Sequence, residues 1–330
     1  MNIRSYLSEK PLLIFIKLLP SMIYEYWRFA TYCARANMSK NPEKLLTDIL
    51  MISHALEKGL SIHEKKKGFG VAKLRTLVRG LQKYVCKYGY SDRILIPLSI
   101  ADHYITFQES DGYADEMLNK SKSDFECLLN QIRKTKDDLS HGGYISLTKE
   151  SMLSLKSANF EDLCKGRYSF RHFSNEHVSD DIIAQALNIA KKSPSACNRQ
   201  SYRVHVYDGK QKDEVLYAQG GARSFYKEAS RAIIVTADME RYFLSEAHLG
   251  YVDGALFAMS LIYAFTYLGV ASIPLTICQP QKILNKFASD FDIPANEYPV
   301  IVIAIGHYPE TAEIAKSERY PVQDFTVFHQ

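Results

Sequence analysis

Arg167-Tyr168-Ser169-Phe170-Arg171, followed by Lys192-Ser193-Pro194-Ser195-Ala196-Cys197-Asn198-Arg199-Gln200, decides how this chain is read. The first stretch repeats a polar side chain at every second position. In an extended backbone such side chains leave on one face, so Arg167, Ser169 and Arg171 are placed to close on one phosphate. Arginine suits that task because its planar fork donates two parallel hydrogen bonds to oxyanion oxygens. The second stretch is a tight polar loop after a helix. It offers backbone groups and the Asn198 and Gln200 amides to a flat heteroaromatic ring. Either stretch alone is ordinary surface chemistry; their order, their spacing and the residues downstream of them carry the reading.

Between and beyond them the chain alternates. Ser179 predicts a helix N-cap, with Asp180 and Asp181 at the positive helix start and Lys191 and Lys192 at its end. Tyr202 to Tyr207 alternates apolar and polar residues and meets Asp208-Gly209, which predicts a strand and a turn. Ala232-Ile233-Ile234-Val235 and Val300 to Gly306 are β-branched runs expected to be central strands. A helix from about Glu246 to Leu268 is expected between them. It is apolar nearly all round, with Gly254, Ala255, Ala258 and Ala264 small enough to admit a partner backbone. Gly254 to Cys278 carries no charge, but Ser260, Gly269, Ser272 and Pro274 punctuate it, so it reads as a buried helix followed by a strand, not a membrane span.

The first part of the chain is helical by pattern. Leu45, Ile49, Ile52, Leu56 and Leu60 keep an i, i+3/i+4 stripe, Leu74, Leu77, Leu81 and Val85 keep another, and Met117 to Ile132 is a third. Ser140-His141-Gly142-Gly143 breaks the pattern, which places a boundary between a helical region, 1–141, and a second domain, 142–330. Leu12 to Leu19 is interrupted by Lys17 and ended by Pro20, too short to span a bilayer. A peripheral membrane contact through this N-terminus, with Trp27 and the tyrosines at headgroup level, stays open.

The 330 residues exceed the usual size of a single core, and 46% hydrophobic content excludes a largely disordered chain. A net charge of +4 supports no nucleic-acid partner. Lys58, Lys65, Lys66, Lys67, Lys73, Arg75, Arg79, Lys83 and Lys87 lie close together, which reads as a solvated helical face. The six cysteines form no Cys-x-x-Cys pair and no Cys/His metal spacing, which suits free thiols in a reducing cytoplasm. His54 and Glu57 with His63 lack the i, i+4 histidine pair of a helical metal site, so no metal is expected.

From about Gly166 onward the chain resembles the nitroreductase family of FMN-dependent oxidoreductases. The landmarks are Arg167-Tyr-Ser169-Phe-Arg171-His-Phe173 and Pro194-Ser195-Ala196-Cys-Asn198-Arg-Gln200. After them come Asp253-Gly254, Leu268-Gly269-Val270, Ile273-Pro274-Leu275 and Gly306-His-Tyr-Pro. The helical first part, with His54-Ala-Leu-Glu57-Lys58-Gly59-Leu60 and Phe69-Gly70, resembles an extension found in a subset associated with surface-polysaccharide biosynthesis.

The resemblance implies an α+β fold: a mixed sheet wrapped by helices, preceded by an all-α N-terminal region, in a homodimer with two FMN sites at its interface. It implies that Arg167, Ser169 and Arg171 bind the FMN phosphate. It also implies that Pro194, Ser195, Ala196, Asn198 and Gln200 of the partner subunit line the ring and ribityl chain. Leu275 and Thr276 would present backbone N–H groups to the flavin, and Lys316 and Arg319 would be a second pair of phosphate-binding cations. Two departures stand out: Thr276-Ile277 replace an acidic residue and glycine, and Tyr202 stands where a Pro-Trp pair is common.

NADH or NADPH would be the electron donor, in a ping-pong hydride transfer to a small organic substrate, with the cofactor carrying the redox chemistry. No side chain is assigned as acid or base, and Cys197 reads as a packing residue before a redox thiol. A reading of another class is also open: a catalytically silent flavin-binding partner protein whose helical region mediates interactions. A third option is a dehydrogenase that oxidises a pathway intermediate.

Overall fold

The computed structural model describes residues 10–277 and 279–329. Cys278, one of the six cysteines, lies outside the described residues. Helices and strands follow in the order α1 (Pro11–Tyr32), α2 (Pro42–Leu60), α3 (Val71–Tyr88), α4 (Leu95–Ser110), α5 (Glu116–Ile132), β1 (Tyr144–Thr148), α6 (Lys149–Leu153) and α7 (Phe160–Gly166). The chain continues with α8 (Asp180–Ala190), β2 (Tyr202–Tyr207), α9 (Gly209–Gln219), β3 (Arg231–Asp238), α10 (Leu249–Tyr267), β4 (Val270–Thr276), α11 (Gln281–Asp290), β5 (Glu297–His307) and β6 (Thr311–Ala315). The fold is α+β, the class the sequence predicts, but the strand pairs among the described residues are antiparallel, so the sheet is not the mixed one expected.

Two compact units divide the chain. The first takes 1–59, 66–143 and 317–330; the second takes 60–65 and 144–316. The division therefore passes Gly143, but residues 60–65 count with the second unit and 317–330 with the first.

In the first unit the predicted stripes are the core. Leu45, Ile49 and Leu56 of α2 and Leu74, Leu77, Leu81 and Val85 of α3 are buried. The third helix starts at Glu116, where the Asp115 side chain accepts from Leu118 N at 2.6 Å and satisfies one of the free N–H groups of the first turn. α1 differs from expectation: it runs through Pro20 instead of ending there. A proline removes one backbone hydrogen bond and commonly kinks a helix, yet the turns on either side continue.

The second unit is built on a four-stranded antiparallel sheet in the order β2-β3-β5-β4, with a separate two-stranded pairing of β1 and β6. β3 is buried along its whole length, because helices cover both faces of the sheet. Period-2 alternation sorts the strand residues. Ile234, Val302, Ala304 and Ile273 face a layer with Phe173, Phe225, Phe287 and Phe291. Ile233, Val235, Ile303 and Ile305 face α8 and α10 through Ala186, Phe257, Leu261 and Phe265.

Two sequence expectations are corrected by the fold. Asp208-Gly209 does not close a hairpin: Asp208 is the N-cap of α9, its carboxylate accepting from Gly209 N at 2.6 Å, and β2 and β3 pair across that helix. Most of the small residues of α10 face their own sheet. A Cβ on Gly254 would lie 2.7 Å from Val300, and one on Gly250 would lie 1.8 Å from the Tyr298 hydroxyl. Ala258 and Ala264 are buried, and only Ala255 is exposed. α10 is long and apolar enough to cross a membrane, but 56% of it is buried within the protein.

Candidate functional site

The segment from Arg167 to Ser174 is tied to β4 and to the end of β5. Phe170 N donates to Ser272 O at 3.1 Å and Ser174 N to His307 O at 3.0 Å. Because β4 is an edge strand, the bond to Ser272 O satisfies a backbone group on the open side of the sheet. Phe170 and Phe173 go into the core, while Arg167 and Ser169 are partly buried and Arg171 is buried. Leu275 and Thr276 end the same strand, three and four residues beyond Ser272. The structure thus brings Arg167, Ser169, Arg171, Leu275 and Thr276 to one sheet edge.

The sequence reading missed a contributor. Arg171 Nη1 donates to Ser61 Oγ at 3.2 Å, and Ser61 is only 2% exposed. Two residues on, the His63 ring stacks on that of His172, centroids 4.0 Å apart and 7° from parallel. Lys65 pairs with Glu313 of β6. His172 is fixed from its other side, its Nδ1 2.6 Å from Glu228 Oε2. A cavity of about 420 Å³ opens among Ser61, His63, Lys65, Ser146, His172 and Glu313. No local pattern marks Ser61-Ile62-His63 as part of a site, since its partners lie more than a hundred residues away.

Pro194 to Gln200 is a loop with three non-glycine residues in the left-handed region: Cys197 at φ 51°, Asn198 at 54° and Gln200 at 49°. Each such residue costs about 1–2 kcal/mol, so the loop needs a fixed frame. The buried carboxylate of Asp253, on α10, supplies it by accepting from Ala196 N at 3.0 Å, Ser201 Oγ at 3.1 Å and Tyr242 OH at 2.8 Å. Burial, with Ser201 lowering and Asp253 raising it, leaves the Tyr242 phenol up at about 12, so its proton stays on at neutral pH. Arg199 adds a second clamp: Nη1 and Nη2 donate to the two Glu246 oxygens at 2.7 and 2.9 Å, while Nε donates to Ala196 O at 3.0 Å. Pro194, Cys197, Asn198 and Gln200 are left exposed, and Ser195 and Ala196 partly so.

The hydrogen bonds from Arg199 pull the Glu246 carboxyl from 4.5 down to about 2. A depressed carboxyl stabilises the fold above its unfolded pKa and loses that contribution as pH falls through the folded value. Loop protection, read by rate-corrected hydrogen exchange at 195–200, should hold above about pH 4.5 and fade between there and about pH 2. E246Q should abolish that acid transition.

The loop and the Arg167–Arg171 segment of one chain do not meet. The loop sits where Ser201 O accepts from Asp238 N, beside the β5 start at Tyr298, which pairs with Ala237. The arginine segment sits where Ile305 and His307 end β5. At ~3.3 Å per residue, roughly 25 Å of strand separates them. Lys316 follows β6 and is partly buried. Arg319 belongs to the other unit, where its guanidinium donates to Ser317 O, and Ser317 N donates to the buried Glu57 carboxylate at 3.1 Å. Residues 311–315 pair with β1.

Solved structures with a similar chain course include a nitroreductase family protein from Streptococcus pneumoniae (20% identity, TM-score 0.46, covering 52% of this chain and 100% of that one). An FMN-dependent nitroreductase from Clostridium difficile aligns at 20% identity and TM-score 0.44, over 52% of this chain and 99% of that one. An NAD(P)H:FMN oxidoreductase from Staphylococcus epidermidis, described as putative, aligns at 19% and 0.45, over 53% and 97%. No match was found among curated protein sequences. A model of the nitroreductase family matches residues 164–247, which span both the Arg167–Arg171 segment and the Pro194–Gln200 loop. Residues 164–247 thus match the family that the motifs resemble.

Proposed function

We propose that the protein is an FMN-dependent oxidoreductase that takes electrons from NADH or NADPH and passes them to a small organic substrate. The observation that carries this reading is the buried Arg171 beside Arg167 and Ser169, inside the matched segment and at the edge strand that also carries Leu275 and Thr276. Two guanidinium groups and a hydroxyl are the donor set that a phosphate dianion requires, so these residues fit the group. Bound FMN supplies a ring that accepts and returns a hydride. Arg167, Ser169 and Arg171 hold its phosphate, Ser61 braces Arg171, and Leu275 and Thr276 offer backbone N–H groups to the ring. Lys316 and Arg319 are the proposed additional cations.

The working unit is a homodimer. Since Pro194, Ser195, Ala196, Asn198 and Gln200 sit about 25 Å along the sheet from the phosphate donors, the loop serves the site of a second copy. α10 offers the face for that copy, with Tyr251, Val252, Leu256 and Met259 exposed beside Ala255. The protein works in the cytoplasm and touches a membrane peripherally, through α1. A role in surface-polysaccharide biosynthesis remains the proposed setting.

Purified protein should show flavin absorbance at about one FMN per chain. It should oxidise NADH or NADPH with a quinone or nitroaromatic acceptor, and scatter light as a dimer at low micromolar concentration. Flavin bound without turnover would favour the silent-partner reading, and a colourless protein would end both.

A further inference from the structure

None of the described residues of α1 is buried, although this helix is rich in large apolar side chains. At 3.6 residues per turn, Lys17, Ser21, Tyr24, Arg28 and Thr31 fall on one line, each three or four residues from the next. Phe15, Leu19, Met22, Tyr26 and Phe29 form a second line on the opposite side, flanked by Ile16, Ile23 and Trp27. Trp27 is 73% and Phe29 70% exposed. The apolar arc covers more than half the helix circumference. That is wider than the narrow seam through which two helices pair, and wide enough to sink side-on into a lipid surface. The polar line carries two cations, Lys17 and Arg28, against one acid nearby, Glu25.

We infer that α1 lies in the plane of an anionic phospholipid surface, with the Phe15–Phe29 line in the acyl boundary and Lys17 and Arg28 at the headgroups. This deepens the proposed membrane contact and is independent of the flavin reading. The charges set the orientation: three in 22 residues are too many for a span, and both cations sit on the side away from the apolar arc. Tyr24, Tyr26, Trp27 and Tyr32 gather in the second half of the helix, where aromatic rings with polar tips suit the headgroup layer.

Trp27 is the only tryptophan in the chain, so its emission reports on this helix alone. Full-length protein is mixed with phosphatidylcholine vesicles with and without phosphatidylglycerol. Trp27 emission should shift to the blue and the protein should float with the anionic vesicles, binding them roughly tenfold more tightly than neutral ones. I16S together with I23S, which leaves the reporter in place and touches no buried residue, should abolish both signals. K17E with R28E should remove the preference for anionic lipid. Absence of shift and flotation on both vesicle types overturns the inference. It is also overturned if emission is already blue without lipid and depends on protein concentration, since a second copy then covers the face.

Discussion

R167A combined with R171A should purify almost free of flavin, while the parent chain holds about one FMN per chain. Hydrogen bonds to a charged partner contribute about 1.5–3 kcal/mol each, so losing two guanidinium groups should weaken flavin binding by hundredfold or more. Arg171 is 6% exposed and donates to Ser61, so its removal also leaves a buried hydroxyl short of a partner. For that reason R167A alone and S61A are measured beside the double variant. S61A should cost about threefold to tenfold in FMN affinity, the size of one bracing hydrogen bond. Fluorescence titration of the stripped protein with FMN reads all of them, and far-UV circular dichroism confirms that each is folded. Full flavin occupancy in the folded double variant would end the assignment of this segment.

D253A should be the most destabilising single change in the second unit outside its apolar core. Its carboxylate accepts three hydrogen bonds while only 2% exposed. Truncation strands the Ala196 N–H and one hydroxyl proton, since Ser201 and Tyr242 still bond each other, so two donors at about 1–3 kcal/mol each give a total of about 2–6 kcal/mol. The melting temperature should fall by about 10 °C. The strained residues Cys197, Asn198 and Gln200 should also lose their frame, so cleavage within 195–200 should rise in limited proteolysis. D253N serves as the isosteric control and should recover only part, because the amide keeps one acceptor oxygen and turns the other position into a donor facing either the Ala196 N–H or the two hydroxyls. A loss below about 1 kcal/mol would mean that the loop holds its conformation without this carboxylate.

Local signals are legible in the sequence. Ser179 does accept from Ile182 N, the runs at 232–235 and 300–306 are strands whose β-branched residues enter a two-sided core, and the alternating run at 202–207 pairs beside them as an edge strand. The arginine segment carries a local sign of its own, a period of two visible in five residues. What sequence spacing does not carry is long-range placement. Asp208-Gly209 suits both a hairpin turn and a helix cap, and only the downstream packing of Val215 and Leu216 selects the cap. Gly254 suits a partner's backbone as well as its own sheet, and Val300 packed against it decides between them. Asp253 stands out in the sequence only as half of a dipeptide, and its service to a loop 57 positions upstream has no local sign. Ser61, His63 and Lys65 sit at the end of an ordinary amphipathic helix, and nothing in their neighbours' identities points to Arg171, His172 or Glu313.

The ladder that ties β1 to β6 has a bearing on how the chain comes to be folded in time. Tyr144 meets Ala315 and Thr148 meets Thr311, so β1 leaves the ribosome with its partner still unsynthesised. Lys65 waits longer for Glu313, and in the first unit Glu57 waits for Ser317. Synthesis normally lets an N-terminal domain fold before the next one appears. Here neither unit is complete until residues beyond 310 have emerged, and the contacts that close both are among the most distant in sequence, the kind that form slowly. The helical region and the sheet are therefore distinct units yet finished together, and a single cut between residues 141 and 142 would give two fragments, each missing a piece that the other carries.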